Sequence, residues 1–186
     1  MTYYNIDEIC EKVHYLVRTF GTDDPEELCD MLDIVITEKD LGRSDDALRG
    51  MVTMIPAFGM TCIVLNSCLS DVTRGFYLAH ELGHSVLHIS EDIHRISDIG
   101  LLDNTDTTEI EANLFAAELL LGDSDDLEKE MRGSELTMFQ LAALKNVPYE
   151  LFAYKLMIMR EQGYEVPELP IPPESRFLSK VKGVFG

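Results

Sequence analysis

The sequence is poor in positive charge. Its 186 residues include 15 lysines and arginines against 34 aspartates and glutamates, a formal net charge of −19. Proteins that bind nucleic-acid phosphates carry basic stripes, so this balance argues against such a surface. The simplest interpretation of the negative charge is solubility. The sharper alternative is a partner with a basic face, attracted electrostatically.

Two kinds of targeting segment are also missing. No apolar run approaches the roughly 18 residues that a membrane-spanning helix needs. The first residues, MTYYNIDEIC, have neither the basic start nor the apolar stretch of a secretory signal. The four cysteines form no C-x-x-C pair and lie among apolar residues, which is typical of buried free thiols. Together these features predict a cytoplasmic protein in a reducing compartment.

The first half of the chain predicts two helices and a small sheet. Apolar residues recur at three and four between Ile6 and Phe20, which indicates one face of a helix, and Pro25 opens a second short helix. The period then changes, and segments 33–38, 51–56 and 60–66 are typical of strands, the last two joined as a hairpin. We therefore expect an α+β fold with a small antiparallel or mixed sheet of about three strands, packed against a helix.

The second half is predicted to be mainly helical. A helix begins near Ser70 and contains FYLAHELGHSVLH, and after a loop over about 89–106 a further helix covers EIEANLFAAELLL. Shorter helices follow, and we expect residues 126–165 to form a helical C-terminal extension packed on the preceding domain. Residues 166–186 are proline-rich and are predicted to be an extended tail.

The stretch FYLAHELGHSVLH contains three of the five histidines, at steps of four. Residues four apart lie on one helix face, so His80 and His84 can direct imidazole nitrogens at a single ion. Glu81 can reach a water on that ion without binding the ion itself. This is the H-E-x-x-H arrangement of two zinc ligands and a general base. The alternative is a solvated helix face, but the residues around these histidines are largely apolar.

A catalytic zinc usually has three protein ligands, and the sequence offers several candidates for the third. His88 lies one turn further on, but a straight helix rises by about 6 Å per turn, so His88 is expected to support or pack beside the site. The next helix offers Glu109 and Glu111. Glu109 is favoured because Asn113, four residues on, can orient a histidine ring. Glu109 can alternatively complete a capping box with Asp106.

These residues carry a resemblance to a known family. The segments RGFYLAHELGHSVLH and EIEANLFAAELLL closely resemble the paired motifs of the ImmA/IrrE metallo-endopeptidases, and the similarity extends over about residues 5–165. The resemblance implies a zincin-like metallopeptidase domain over residues 1–125. By motif match, it also implies a zinc site. The zinc ligands would be His80, His84 and Glu109, and Glu81 would be the general base. One departure is LLLGD, where the family commonly has a proline, which alters the helix end and not the metal site.

The resemblance further implies a regulatory protease. Members of the family cut a helix-turn-helix repressor encoded beside them, often in a prophage or other mobile element and frequently after DNA damage. The expected partner is therefore a protein substrate of this kind, without direct binding to nucleic acid or membrane. An acidic surface would suit a basic DNA-binding substrate.

A non-catalytic function is the main competing hypothesis. The metal would stabilise the fold, and the protein would act by binding a partner. Structural zinc sites usually have four protein ligands and favour cysteine, whereas the cysteines here lie away from the motif. The peptidase is therefore the favoured interpretation.

A DNA-binding module is a third hypothesis. Segment 137–156 has the spacing of a helix-turn-helix. Its second helix offers mainly apolar residues, with Lys155 the only cation before Arg160, whereas a recognition helix presents polar and basic side chains. For oxyanion stabilisation the candidates are Tyr77 and His94, although a packed tyrosine and a solvated histidine are simpler interpretations.

Overall fold

The computed structural model describes residues 5–44, 47–55, 57–89, 95–97, 106–133 and 135–166. This part of the chain forms an α+β fold, as the sequence predicts. The helices are α1 (Ile6–Phe20), α2 (Pro25–Met31), α3 (Asp71–Leu87), α4 (Asp106–Leu121), α5 (Ser124–Gly133), α6 (Met138–Leu144) and α7 (Leu151–Glu161). The strands are β1 (Ile34–Lys39), β2 (Gly50–Ile55), β3 (Met60–Asn66) and β4 (Arg95–Ser97). The predicted tail from residue 167 onward lies outside the described residues, as does His94.

The sheet is mixed, with the strand order β1-β3-β2-β4. Strand β1 runs parallel to β3, and β2 runs antiparallel to both of its neighbours. Ile55 pairs with Met60 across the turn, which confirms the predicted hairpin. The prediction of a loop over about 89–106 missed a short strand, because Arg95–Ser97 pairs with β2 as a fourth strand. Three residues are too few to show a periodicity that a sequence can reveal.

Side-chain caps are present at the starts of α1 and α3. The side chain of Asn5 accepts from the backbone N–H of Glu8, and that of Ser70 accepts from Thr73. Helix α7 begins at Leu151, three residues after Pro148, although a proline suits the first position of a helix. The preceding residues form a turn instead.

The central helix α3 packs against the sheet on one side and against α4 on the other, and α4 in turn contacts α1 and α7. A Cβ atom on Gly83 of α3 would lie 3.1 Å from Cβ of Phe115 of α4. Glycine therefore allows the two helices to approach closely, as its presence inside a helical pattern suggests. Gly75, on the same helix, has no such neighbour within 4 Å.

Helix α7 is a core helix. Its buried residues include Phe152, Tyr154 and Lys155, and the Lys155 ammonium lies 2.6 Å from Oε2 of Glu118 on α4. The helix-turn-helix hypothesis needs Lys155 to contact DNA, whereas this side chain is buried in an ion pair with Glu118. Within the described residues, no helix is both long and apolar enough to cross a membrane.

Candidate metal centre

The H-E-x-x-H residues lie in the buried middle of α3. The histidines are enclosed because α3 is covered by the sheet and by α4, and His80 is 3% and His84 is 1% exposed. One helical turn separates them, and their Nε2 atoms lie 3.1 Å apart. The spacing of four residues therefore directs both imidazole rings towards the same point, as the sequence predicts.

Glu109 of α4 completes a three-residue cluster. Its Oε2 atom lies 3.3 Å from Nε2 of His80, and its Oε1 atom lies 3.3 Å from Nε2 of His84. In the described part of the chain, this is the one group of three or more potential ligands whose atoms all lie within 4.8 Å of one another. Glu111, the other candidate, points elsewhere, and its Oε2 atom lies 3.0 Å from Nε2 of His88.

The hydrogen bonds around His80 prepare its ring for a cation. Asn113 donates from Nδ2 to the hydroxyl of Tyr154 over 3.3 Å, so its Oδ1 atom faces Nδ1 of His80 at 3.1 Å and accepts from it. Neutral imidazole has one N–H, and the Nε2 atom of His80 therefore carries a lone pair towards Glu109. A lone pair and a carboxylate oxygen in contact call for a positive charge between them. The residues thus fit a metal ion.

The electrostatics of the cluster favour the same donor set. Burial lowers the pKa of His84 to about 4, so the ring is neutral near pH 7, as a metal ligand must be. Burial by itself raises the pKa of Glu109, but hydrogen bonds and positive charge from protonated His80 and His84 outweigh it, and the pKa of this carboxyl lies well below its usual range. When the rings are neutral, a bound cation would supply that positive charge. A neutral His84 ring and an ionised Glu109 carboxylate are the forms that bind a metal ion.

Glu81 is fully buried, and the backbone of β2 runs directly against it. A Cβ atom on Gly50 would lie 2.5 Å from Oε1 of Glu81, a distance that real contacts do not reach. The carboxylate of Glu81 can therefore occupy its present position only because residue 50 is a glycine. The sequence signals this role weakly, since a glycine at a strand can mark the close approach of another group.

The remaining candidates lie around this centre. His88 contacts His84, with 3.0 Å between their Nδ1 atoms, and burial lowers the pKa of His88. Tyr77 is 5% exposed and its ring packs edge-on against Phe76, as a packed tyrosine would. Sequence reasoning missed the contact of Tyr154 with Asn113, because the two residues are 41 positions apart and no local pattern links them.

Comparisons with known proteins agree with the motifs. The family model described as Peptidase M78, IrrE N-terminal-like domain, matches residues 29–157. The chain is 32% identical over 156 residues to "Metallopeptidase ImmA" of Bacillus subtilis (strain 168), which covers 84% of this chain and 88% of that protein. It is 38% identical over 89 residues to "Uncharacterized immunity region protein 2" of Bacillus phage phi105, over 48% of this chain and 54% of the phage protein. The chain therefore belongs to the ImmA/IrrE family of metallopeptidases.

Proposed function

We propose that this metallopeptidase is a zinc-dependent endopeptidase, with His80, His84 and Glu109 as the metal ligands and Glu81 as the general base. One observation carries the proposal. The ligand atoms of His80, His84 and Glu109 converge on one point, and the buried carboxylate of Glu81 lies on the same helix as the two histidines. The arrangement joins a site that can hold a metal to a group that can accept a proton.

The donor set supports zinc over magnesium and calcium. Two histidines and one glutamate are a known ligand set of catalytic zinc, whereas magnesium and calcium prefer oxygen ligands throughout. Ligand atoms about 2.0 to 2.1 Å from a tetrahedral ion lie about 3.3 Å apart. The corresponding distances here are 3.1 Å between the two nitrogens and 3.3 Å from each nitrogen to Glu109.

The surrounding residues supply positioning and proton transfer. When bound, zinc would lower the pKa of a water towards 7 and polarise the scissile carbonyl. Glu81 would act as the general base for this water and would return the proton to the leaving nitrogen. Asn113 holds the His80 ring through Nδ1, and the backbone at Gly50 confines the Glu81 carboxylate.

The proposed substrate is a helix-turn-helix repressor encoded near the protein, in a prophage or other mobile element. The family resemblance implies this substrate, and the name of the phage relative as an immunity region protein supports it. The net charge of −19 complements the basic surface of a DNA-binding protein. Cleavage would release transcription in the cytoplasm, after DNA damage or another stress.

The domain arrangement belongs to the same proposal. Residues 1–125 would form the peptidase domain, and residues 126–165 its helical extension. The contact between α7 and α4 supports an extension that is packed on the domain and not separate from it.

The test is cleavage of the neighbouring repressor by the zinc-loaded protein. We expect fragments with the wild type and none with Glu81→Gln, although both bind one zinc ion. Glu130→Gln is the matched control, because Glu130 is a half-buried glutamate of α5 that is paired with Lys145 away from the site. This variant should cleave like the wild type.

Absence of fragments with every variant, although zinc is bound, would contradict the peptidase proposal for this substrate. That outcome would favour the hypothesis of a metal-stabilised regulator that acts by binding. Equal cleavage by the wild type and Glu81→Gln would instead remove Glu81 from the mechanism.

A further inference from the structure

A second series of contacts leads from His84 away from the metal centre. The Nδ1 atom of His84 lies 3.0 Å from Nδ1 of His88, and Nε2 of His88 lies 3.0 Å from Oε2 of Glu111. The exposed fraction of the side chain rises outward, from 1% for His84 to 9% for His88 and 24% for Glu111. The proton transfer described above uses neither of the outer two residues.

The contacts determine where the hydrogens lie when both rings are neutral. An ionised carboxylate carries no hydrogen, so Nε2 of His88 donates to Glu111. Because a neutral imidazole has a single N–H, Nδ1 of His88 is then an acceptor, and the hydrogen between the two Nδ1 atoms belongs to His84. The Nε2 atom of His84 is left with its lone pair, on the side that faces His80 and Glu109.

We propose that His88 and Glu111 are positioning residues, a relay that holds His84 in its metal-binding tautomer and keeps its ring aligned with the centre. The proposal rests on the proposed function and deepens it. The two histidine ligands are then supported differently. His80 donates directly to the neutral amide of Asn113, whereas His84 is connected through a second ring to a charged carboxylate.

The helix geometry explains why these residues serve as a relay and not as ligands. His88 is the C-cap residue of α3, one turn beyond His84, and its backbone N–H donates to the carbonyl of His84. From there its ring reaches the outer nitrogen of His84. Glu111 follows Glu109 by two residues on α4, so it points about 200° around the helix from Glu109. One turn of α4 thus supplies a ligand and the anion that orients another ligand.

Zinc affinity is the first readout, measured by competition with a chelating dye. We expect Glu111→Ala and His88→Ala each to weaken zinc binding by about 10- to 100-fold, as is typical when the partner of a ligating histidine is lost. Glu111→Gln should lose less, because its amide oxygen can still accept from Nε2 of His88. The double variant should bind no more weakly than the single variants, since the two residues act in series.

The control is Glu130→Ala, which removes a half-buried, ion-paired glutamate on another helix and should leave zinc affinity unchanged. Zinc affinity that is unaffected by Glu111→Ala, or reduced as much by Glu130→Ala, would overturn the relay. Fully additive losses in the double variant would also overturn it, because independent residues and not a series would then be acting.

The tautomer itself is the second readout. Nitrogen-15 histidine spectra of the zinc-loaded protein have only five rings to assign. We expect His88 to carry its hydrogen on Nε2 and His84 on Nδ1. A hydrogen on Nδ1 of His88 would overturn the proposal.

These readouts separate the relay from the peptidase function. Weakened zinc binding in a protein that cleaves no repressor would support the relay and count against the function. Cleavage with unaltered zinc affinity in the relay variants would do the reverse. A wild type that binds no zinc would refute both.

Discussion

Helix α4 carries two buried glutamates, Glu109 and Glu118, that each contact histidine. The negative charges of their carboxylates are neutralised in different ways. Glu118 lies 2.7 Å from Nε2 of His14 through Oε1 and 2.6 Å from the ammonium of Lys155 through Oε2. Glu109 faces the Nε2 atoms of two histidines. The first carboxylate has a permanent cation from the chain. The Glu109 carboxylate gains a neutralising cation only when a metal ion binds.

The two glutamates of α4 therefore have different roles, Glu118 in the stability of the fold and Glu109 in metal binding. The Glu118 cluster connects α1, α4 and α7, and it is satisfied in the folded chain alone. Removal of one partner from such a buried pair leaves an uncompensated charge, which is costly. The Glu109 cluster keeps its lone pairs for an ion, so its disruption should affect metal binding far more than folding. The following predictions test this separation.

The largest effect is expected at Lys155. Lys155→Met leaves the Glu118 carboxylate buried without its cation, which should lower the free energy of unfolding by about 3 to 5 kcal/mol. Urea unfolding measures this. The combined variant Lys155→Met/Glu118→Leu should recover most of the loss, because apolar residues often replace a buried pair at little cost. A loss below about 1 kcal/mol in the single variant would contradict a stabilising role for the pair.

Removal of the metal should have a smaller effect and should leave the fold intact. Zinc at about 100 times its dissociation constant stabilises a protein by about 2.7 kcal/mol, and a chelator should abolish this increment. Far-ultraviolet circular dichroism should remain unchanged after chelation. Glu109→Ala should show no zinc increment, whereas Lys155→Met should retain it. Loss of helical signal on chelation would indicate a structural metal instead.

The smallest effect on stability, with a large effect on activity, is expected at Gly50. Gly50→Ala places a Cβ within 3.0 Å of Oε1, Cγ and Cδ of Glu81, so this side chain has to shift, and the free energy of unfolding should fall by about 1 kcal/mol, the low end of the cost of overpacking. The displaced base should reduce kcat by about 100-fold, because misplacement of a reacting group by about 1 Å has this consequence.

Zinc affinity should not change in Gly50→Ala. The control is Gly75→Ala on α3, where an added Cβ meets nothing within 4 Å and activity should persist. Full activity in Gly50→Ala would show that the approach of β2 to Glu81 does not constrain the base.

Local patterns made much of the fold predictable. The start of α1 follows from the capping side chain of Asn5, and the β2–β3 hairpin from two apolar segments around a short turn. The short strand β4 was not predictable, because its pairing with β2 connects residues more than forty positions apart. The buried position of Lys155 was also missed. Its partner Glu118 lies 37 residues away, and a lone lysine in an apolar helix gives no sign of its partner.

The sequence by itself determined that His80 and His84 share one helix face, because the spacing of four residues is a property of the helix alone. It also favoured Glu109 through its spacing from Asn113. Only the tertiary structure decided that Glu109 meets these rings while Glu111 turns to His88. That choice depends on how closely α3 and α4 pack, with Gly83 against Phe115. The distance between two helices is set by the side chains at their contact, which no repeat within either helix can specify.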